Sequence, residues 1–283
     1  MKNILLPTDF SENSWNAIKY ALQLFEHETC KFYLLNTYTP PIYQIEYALM
    51  IPDKLGMVDT ARSNSVEQLN DFKDRMHKEF RNPKHTIETM AIFNTLIQEI
   101  ILFVKEKAID YVVMGTKGAS GTKGVLFGSN TVQVFKNVKC PVLAIPENFP
   151  FETPHEVLFP TDYSIDYKES QLKPIRDILS AHSSRVNILN VVPENGLSEW
   201  QEKNKDTLET YFKDIAHIFH SVSNATVVNA IEKFQIKAKI NLLVMINNKH
   251  SFFENLFFKS NINQIGFNLK IPFLLIPSKL LKA

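Results

Sequence analysis

The chain has little that would tie it to the cell exterior, to a membrane or to nucleic acid. Of its 283 residues only two are cysteines, Cys30 and Cys140, far apart in sequence. Two thiols cannot make the bridge framework of a small secreted domain, so a reducing, cytoplasmic setting is expected. Both read as packed strand-end residues rather than reactive thiols. No apolar run approaches the ~18 residues that cross a bilayer. The opening Met1-Lys-Asn-Ile-Leu-Leu-Pro7 is broken at once by Pro7, Asp9 and Glu12, so no secretory leader is expected. Neither charge sign is in excess: 31 basic and 30 acidic residues leave a net +1. They are interspersed, so neither nucleic acid nor an anionic membrane is an expected partner. Low-complexity tracts are absent too. A hydrophobic content of 45% and a charged content of 22% describe a globular chain long enough for two domains.

Familiar catalytic and nucleotide motifs are also missing. No Gly-x-Gly-x-x-Gly follows the first strand, which excludes a dinucleotide site of the usual kind. Gly118-Ala-Ser-Gly-Thr-Lys123 fails as a P-loop because Thr122 separates Gly121 from Lys123. A Gly-x-Ser-x-Gly nucleophile elbow does not occur. His217 and His220, three apart on a predicted helix, have no third metal ligand in view and read as surface histidines.

What the chain does have is a repeat. Asn3-Ile-Leu-Leu-Pro-Thr-Asp-Phe-Ser11 returns as Glu156-Val-Leu-Phe-Pro-Thr-Asp-Tyr-Ser164, and Tyr33-Leu-Leu-Asn36 as Asn187-Ile-Leu-Asn190. Tyr111-Val-Val-Met114 returns as Leu242-Leu-Val-Met245, and Pro141-Val-Leu-Ala-Ile-Pro146 as Pro272-Phe-Leu-Leu-Ile-Pro277. Four matches in one order indicate duplication. The offset falls from 153 at Asp9/Asp162 to 131 at Met114/Met245, so the second copy is shorter by 22 residues. The seam is Glu147-Asn-Phe-Pro-Phe-Glu-Thr-Pro154, a linker without periodicity.

Within the first copy, β-rich runs at Ile4–Leu6, Phe32–Leu35, Ile87–Ala91, Tyr111–Met114 and Val142–Ile145 alternate with helical patterns. The helices are predicted over Asn13–Phe25, Val66–Phe80, Leu96–Lys107 and Ser129–Lys136. Trp15, Ile18, Ala21, Leu22 and Phe25 share one face of the first. Such alternation predicts a parallel sheet covered on both faces, with ligands beyond the carboxyl ends of its strands where the winding reverses. Asp9, Thr37 and Gly115 each follow a strand end.

The richest stretch is Met114-Gly-Thr-Lys-Gly118, followed after nine residues by Gly128-Ser129-Asn130-Thr131. Glycines let backbone approach a ligand, and a helix opening at Gly128-Ser129 would offer unpaired N–H groups and a positive dipole end to phosphate. The Ser129 and Thr131 hydroxyls could add donors, and Lys117 and Lys123 could neutralise charge. Asp9 could accept from a ribose hydroxyl or an exocyclic amine, or could serve as an N-cap in competition with Ser11.

These residues resemble the universal stress protein (UspA-like) family in its tandem two-domain form. The family signature Gly-x2-Gly-x9-Gly-Ser/Thr is met by Gly115, Gly118, Gly128 and Ser129, and its opening by Leu6-Pro-Thr-Asp-Phe-Ser11. The resemblance implies two tandem Rossmann-like α/β domains of the adenine nucleotide alpha hydrolase-like type, related by a pseudo-two-fold. Each would be a five-stranded parallel sheet with helices on both faces: residues 1–147, a linker 148–154, and 155–283. It implies ATP or another adenine nucleotide in the first domain only, with magnesium carried on the phosphates. Pro7, Thr8 and Asp9 would lie near adenine and ribose, and Thr37 beside the base. Met114, Gly115, Lys117 and Gly118 would line ribose and phosphates, and Gly128, Ser129, Asn130 and Thr131 the β- and γ-phosphates. In the second copy Ile246, Lys249 and Lys259 replace the three glycines, and Phe252, Phe253, Phe257 and Phe258 suggest an apolar plug or interface. The family's pairing through the last strand implies an intramolecular pseudo-dimer, with a homodimer still open. Residues 38–57 could form a lid or a packed excursion. With no general base and no acidic magnesium pair visible, a regulatory stress-response protein is expected rather than a dedicated enzyme. A slow ATPase and a protein-interaction scaffold with structural or no nucleotide stand as alternatives.

Overall fold

The structure, a computed structural model, describes residues 1–38, 55–116, 127–192, 196–247 and 270–281. In the first half, strands β1 (Lys2–Pro7), β2 (Cys30–Tyr38), β3 (His85–Phe93), β4 (Tyr111–Gly115) and β5 (Val142–Ile145) alternate with four described helices. These are α1 (Glu12–Leu24), α2 (Leu55–Glu79), α3 (Leu96–Glu106) and α4 (Ser129–Asn137). The second half repeats the pattern with β6 (Glu156–Pro160), α5 (Glu169–Ala181), β7 (Arg185–Val191), α6 (Glu199–Phe212) and β8 (His217–Val222), then α7 (Val227–Lys237), β9 (Leu242–Asn247) and β10 (Phe273–Pro277).

The strands form one ten-stranded sheet in the order β3-β2-β1-β4-β5-β10-β9-β6-β7-β8. Every pairing is parallel except β5 with β10, which is antiparallel and joins the two sets of five. Strand alternation divides the core between two faces. Ile4, Leu6, Leu274 and Ile276 face α1, α2, α5 and α6, where Trp15, Leu69, Ile175 and Leu208 pack. Leu5, Phe273 and Leu275 face α3, α4 and α7, where Ile100, Val134 and Ile231 pack. Helices on both faces explain why the strands read as unbroken apolar runs.

Local chemistry sets the boundaries. The Ser11 side chain caps α1 by accepting from Ser14 N–H at 3.2 Å, a contact typically worth about 1 kcal/mol. Helix α2 starts at Leu55, eleven residues before the predicted Val66. The added stretch mixes apolar and polar residues without a sustained period, but Ser65 within it is buried and donates to Asn36 Oδ1 at 2.7 Å. His217 and His220 lie on strand β8, not on a helix. His217 Nδ1 meets Ile215 O at 2.8 Å and His220 Nε2 meets Asn187 Oδ1 at 3.0 Å, so each is used locally. Cys30 and Cys140 are buried free thiols at strand starts, as expected; burial pushes the Cys30 thiol up to about 12. Of the 38–57 excursion, 39–54 lies outside the described residues.

The C-terminal carbonyls of α1 are held by two imidazoles from elsewhere. His182 of the second half reaches Leu24 O at 2.9 Å and His85 reaches Phe25 O at 3.0 Å. Burial, the largest cause, holds both rings below their ordinary 6.5, and the carbonyl contacts oppose it only in part. The folded state therefore binds fewer protons at these sites than the unfolded chain. Stability is fully present above pH 6.5 and falls as the pH drops from there through the depressed folded values. Thermal melts at pH 7.5 and 5.5 check this: the native chain loses Tm on acidification, and His182→Gln loses less between the two pH values.

Candidate functional site

Strands β1 and β4 are neighbours, but the chain continues from β1 towards β2 and β3 on one side and from β4 towards β5 on the other. At this reversal their carboxyl ends spread and leave a crevice. A cavity of about 200 Å³ lies there, lined by Pro7, Thr8, Asp9, Ser14, Asn36, Thr37, Leu96, Met114, Gly115, Gly128, Ser129, Asn130 and Thr131. Every expected site residue that is described falls on this wall. Lys117 and Gly118 lie outside the described residues, with Lys123.

One wall is the start of α4. Gly128 is its N-cap, no side chain caps it, and no acid stands in its first turn. Helices α1, α6 and α7, by contrast, are capped by Ser11, Ser198 and Thr226. The Gly128 N–H is spent on Thr116 O at 2.7 Å, and the first helical bond runs from Val132 N–H to Gly128 O at 3.1 Å. Ser129, Asn130 and Thr131 therefore present first-turn N–H groups that have no intrahelical acceptor. Three N–H groups and a dipole end at a cavity make an anion seat.

Two residues do other work than expected. The Thr131 hydroxyl, expected as a phosphate donor, is buried and lies 3.1 Å from Gly115 O and 3.2 Å from Thr116 O. Its hydrogen serves these carbonyls, so only its backbone N–H remains for an anion. Gly115, expected to make room for a ligand, makes room for the protein. A Cβ there would meet Asn13 Nδ2 at 2.7 Å and Asn13 O at 3.3 Å. The glycine lets the first turn of α1 lie against the end of β4.

The floor is a buried polar relay. Asn36 Nδ2 donates to Thr8 O at 2.8 Å, Thr8 Oγ1 and Ser14 Oγ are 2.9 Å apart, and Ser14 Oγ donates to Ser11 O at 2.8 Å. Above it, Asp9 Oδ1 accepts from Ser11 N–H at 3.1 Å and Ser11 Oγ at 2.6 Å, and Phe10 takes φ 63°. The same turn recurs in the second half: Asp162 Oδ1 accepts from Ser164 N–H at 2.9 Å, Tyr163 has φ 56°, and Asn190 Nδ2 donates to Thr161 O at 2.8 Å. A turn kept in the half without the glycines is a fold element first, which accounts for Asp9 without a ligand. Ser11 is the N-cap, and Asp9 orients it.

The second half closes the equivalent crevice with side chains. Tyr167 stands where Ser14 stands in the first half and hydrogen-bonds Thr161 Oγ1 at 2.5 Å. Ile246 replaces Gly115, is buried, and joins the same core cluster as Ile165. Helix α5 begins only at Glu169, about a turn later than its counterpart α1. Lys249, Lys259 and the four phenylalanines at 252, 253, 257 and 258 lie outside the described residues. The sequence reading missed Ser14, Asn36 and Leu96 on the first-half wall. The recurrence of Asn36 as Asn190 was a usable signal; Leu96, the first residue of α3, carried none. Among the described residues no helix is long and apolar enough to cross a membrane.

Comparison with known proteins fits this geometry. The family model described as "Universal stress protein family" matches residues 1–146. Universal stress protein MJ0531 of Methanocaldococcus jannaschii is 27% identical over 152 residues, 51% of this chain and 81% of that protein. MJ0577 of the same organism is 26% identical over 156 residues, 51% of this chain and 94% of that protein. The crystal structure of a universal stress protein from Archaeoglobus fulgidus superposes with a TM-score of 0.68 at 18% identity, covering 97% of this chain and 96% of that one, and so shares the fold.

The tight approach at Gly115 makes a stability prediction. Gly115→Val should cost about 1–3 kcal/mol by overpacking against α1, measured by denaturant unfolding, and Asn13→Ala in the same chain should recover part of the loss. A single variant as stable as the native protein would show that the α1–β4 contact does not need the glycine.

Proposed function

Since the chain belongs to the universal stress protein family, a family with a stress-response role, we propose that it is a cytoplasmic regulatory protein that binds ATP in its first domain only. That domain is residues 1–147, followed by a linker at 148–154 and a degenerate partner domain at 155–283; the two act as an intramolecular pseudo-dimer. The observation that carries the reading is the uncapped start of α4 opening onto the cavity at the β1/β4 reversal.

The β- and γ-phosphates would take the N–H groups of Ser129, Asn130 and Thr131; Lys117 and Gly118, the expected further ribose and phosphate contacts, lie outside the described residues. Ribose and adenine would lie against Pro7, Thr8, Thr37 and Met114. Asp9 would reach the ribose from a turn that is already built. The described walls enclose about 200 Å³, below the roughly 300–1,000 Å³ of ordinary ligand pockets. They would therefore seat part of the nucleotide. Magnesium would ride on the phosphates: among the described residues no group of three His, Cys, Asp or Glu is placed to hold it. Asp9 Oδ1 is engaged by Ser11 and is not poised as a general base, so the reading is a nucleotide holder whose hydrolysis is slow.

The nucleotide content of freshly purified protein tests this. Near-stoichiometric ATP is expected in the native chain. Ser129→Asp should lose it by tenfold or more, yet stripped of nucleotide it should melt no lower than the stripped native chain, because an acid at a helix start interacts favourably with the dipole by about 0.3–1 kcal/mol yet repels phosphate. An empty protein that rejects added ATP, or a Ser129→Asp chain that keeps it, would overturn the assignment.

A further inference from the structure

A second and larger cavity, about 540 Å³, lies at the junction of the two halves. Its walls come from the end of α4 and the segment after it, from the β6–α5 loop, and from the ends of β9 and β10. Four lysines line it, Lys136, Lys139, Lys168 and Lys279, against one carboxylate, Asp166. All four are exposed, and neither Lys139, Lys168 nor Lys279 is in an ion pair among the described residues. It is distinct from the degenerate crevice of the second half, since Pro160, Thr161 and Asp162 are not on its wall.

The walls are braced across the junction. Asn247 Nδ2 donates to Phe135 O at 3.4 Å, and Leu281 N–H to Lys139 O at 3.0 Å. Gln171, itself buried, donates from Nε2 to Ser278 O at 3.0 Å and accepts the Lys168 N–H on Oε1 at 3.1 Å. Lys168 is the N-cap residue of α5. A cation there faces the positive end of the helix dipole, where an acid would be favoured instead. Like charges gathered in a cavity and set against a dipole are relieved together by one bound anion.

We propose that this cavity is a second ligand site, taking a compact polyanion with two or more linked phosphate groups. It stands independently of nucleotide binding in the first cavity. Ligand there would touch both halves, and it would also touch the C-terminal end of α4, whose other end lines the first cavity. At nine residues, α4 spans about 13 Å. An anion at the junction would thus bind one rigid element that both sites share.

Calorimetric titration of the full chain with inorganic tripolyphosphate tests the site. One equivalent is expected, weakening as salt is raised. Lys168→Gln with Lys279→Gln should weaken it tenfold or more, whereas the paired Lys→Arg changes should keep it. Thermal melts of both double variants should match the native chain, since these side chains are exposed. Ser129→Asp should leave the equivalent in place, which separates this site from the first cavity. A second equivalent of ATP that the glutamine pair removes would identify a nucleotide tail as the ligand; tripolyphosphate without it would identify a free polyanion. No binding near physiological salt, or equal binding by the glutamine pair, would overturn the proposal.

Discussion

The antiparallel pairing of β5 with β10 is the contact on which the rest of the molecule depends. Only three residue pairs make it, Phe273 with Ala144, Leu274 with Leu143 and Leu275 with Val142, and all six are buried. Each set of five strands would otherwise end in an apolar edge with unpaired N–H and C=O groups. Joining the edges extends both faces of the sheet across the seam, so each face carries one core fed by both halves. Phe135 of α4 packs edge-on against Phe273 of β10, with ring centres 5.6 Å apart. That contact lays α4 over the seam, with its start at the first cavity and its end at the lysine-lined one.

The two halves show how a site is lost while its frame is kept. The Pro-Thr-Asp-aromatic-Ser turn has one geometry in both, down to the positive φ of Phe10 and Tyr163. The divergence lies in what packs against it. Gly115 lets α1 approach β4; Ile246 in its place accompanies a later helix start, and Tyr167 takes the position of Ser14. Side chains then fill what had been room between loop and strand. Burying apolar groups there contributes favourably, so nothing in stability opposes the change once ligand is no longer needed.

Much of the fold is legible in the sequence because parallel strands buried on both faces carry a signal independent of context. The repeat at Asn3–Ser11 and Glu156–Ser164 fixes the two-fold plan, and the spacing of Trp15, Ile18 and Phe25 marks α1. The early start of α2 is not legible, because the 55–65 stretch mixes apolar and polar residues without a sustained helical stripe, and the Ser65–Asn36 bond is a tertiary contact. His217 and His220 mislead because a spacing of three suits a helix until the strand pairing of β8 is known. At the site, most of the residues around the crevice could be listed from the sequence, Ser14, Asn36 and Leu96 excepted, but not the use made of each. Gly115 serves Asn13, and the Thr131 hydroxyl serves two carbonyls; both are tertiary facts with no mark in the local pattern. The lysine-lined cavity is invisible for the same reason, since Lys139 and Lys279 meet only after the sheet is joined.

The order of synthesis gives the central seam a further meaning. Strand β5 emerges from the ribosome about 130 residues before its partner β10. At roughly 5–20 residues per second that is a delay on the order of ten seconds. For that interval the first half can be complete in every internal contact and still display Val142–Ile145 as a bare, apolar edge. The nascent chain is then a sticky-ended intermediate, able to pair with the same edge of a neighbour on the same message. Fidelity in making this protein is therefore a kinetic contest between the arrival of its own last strand and capture by another copy.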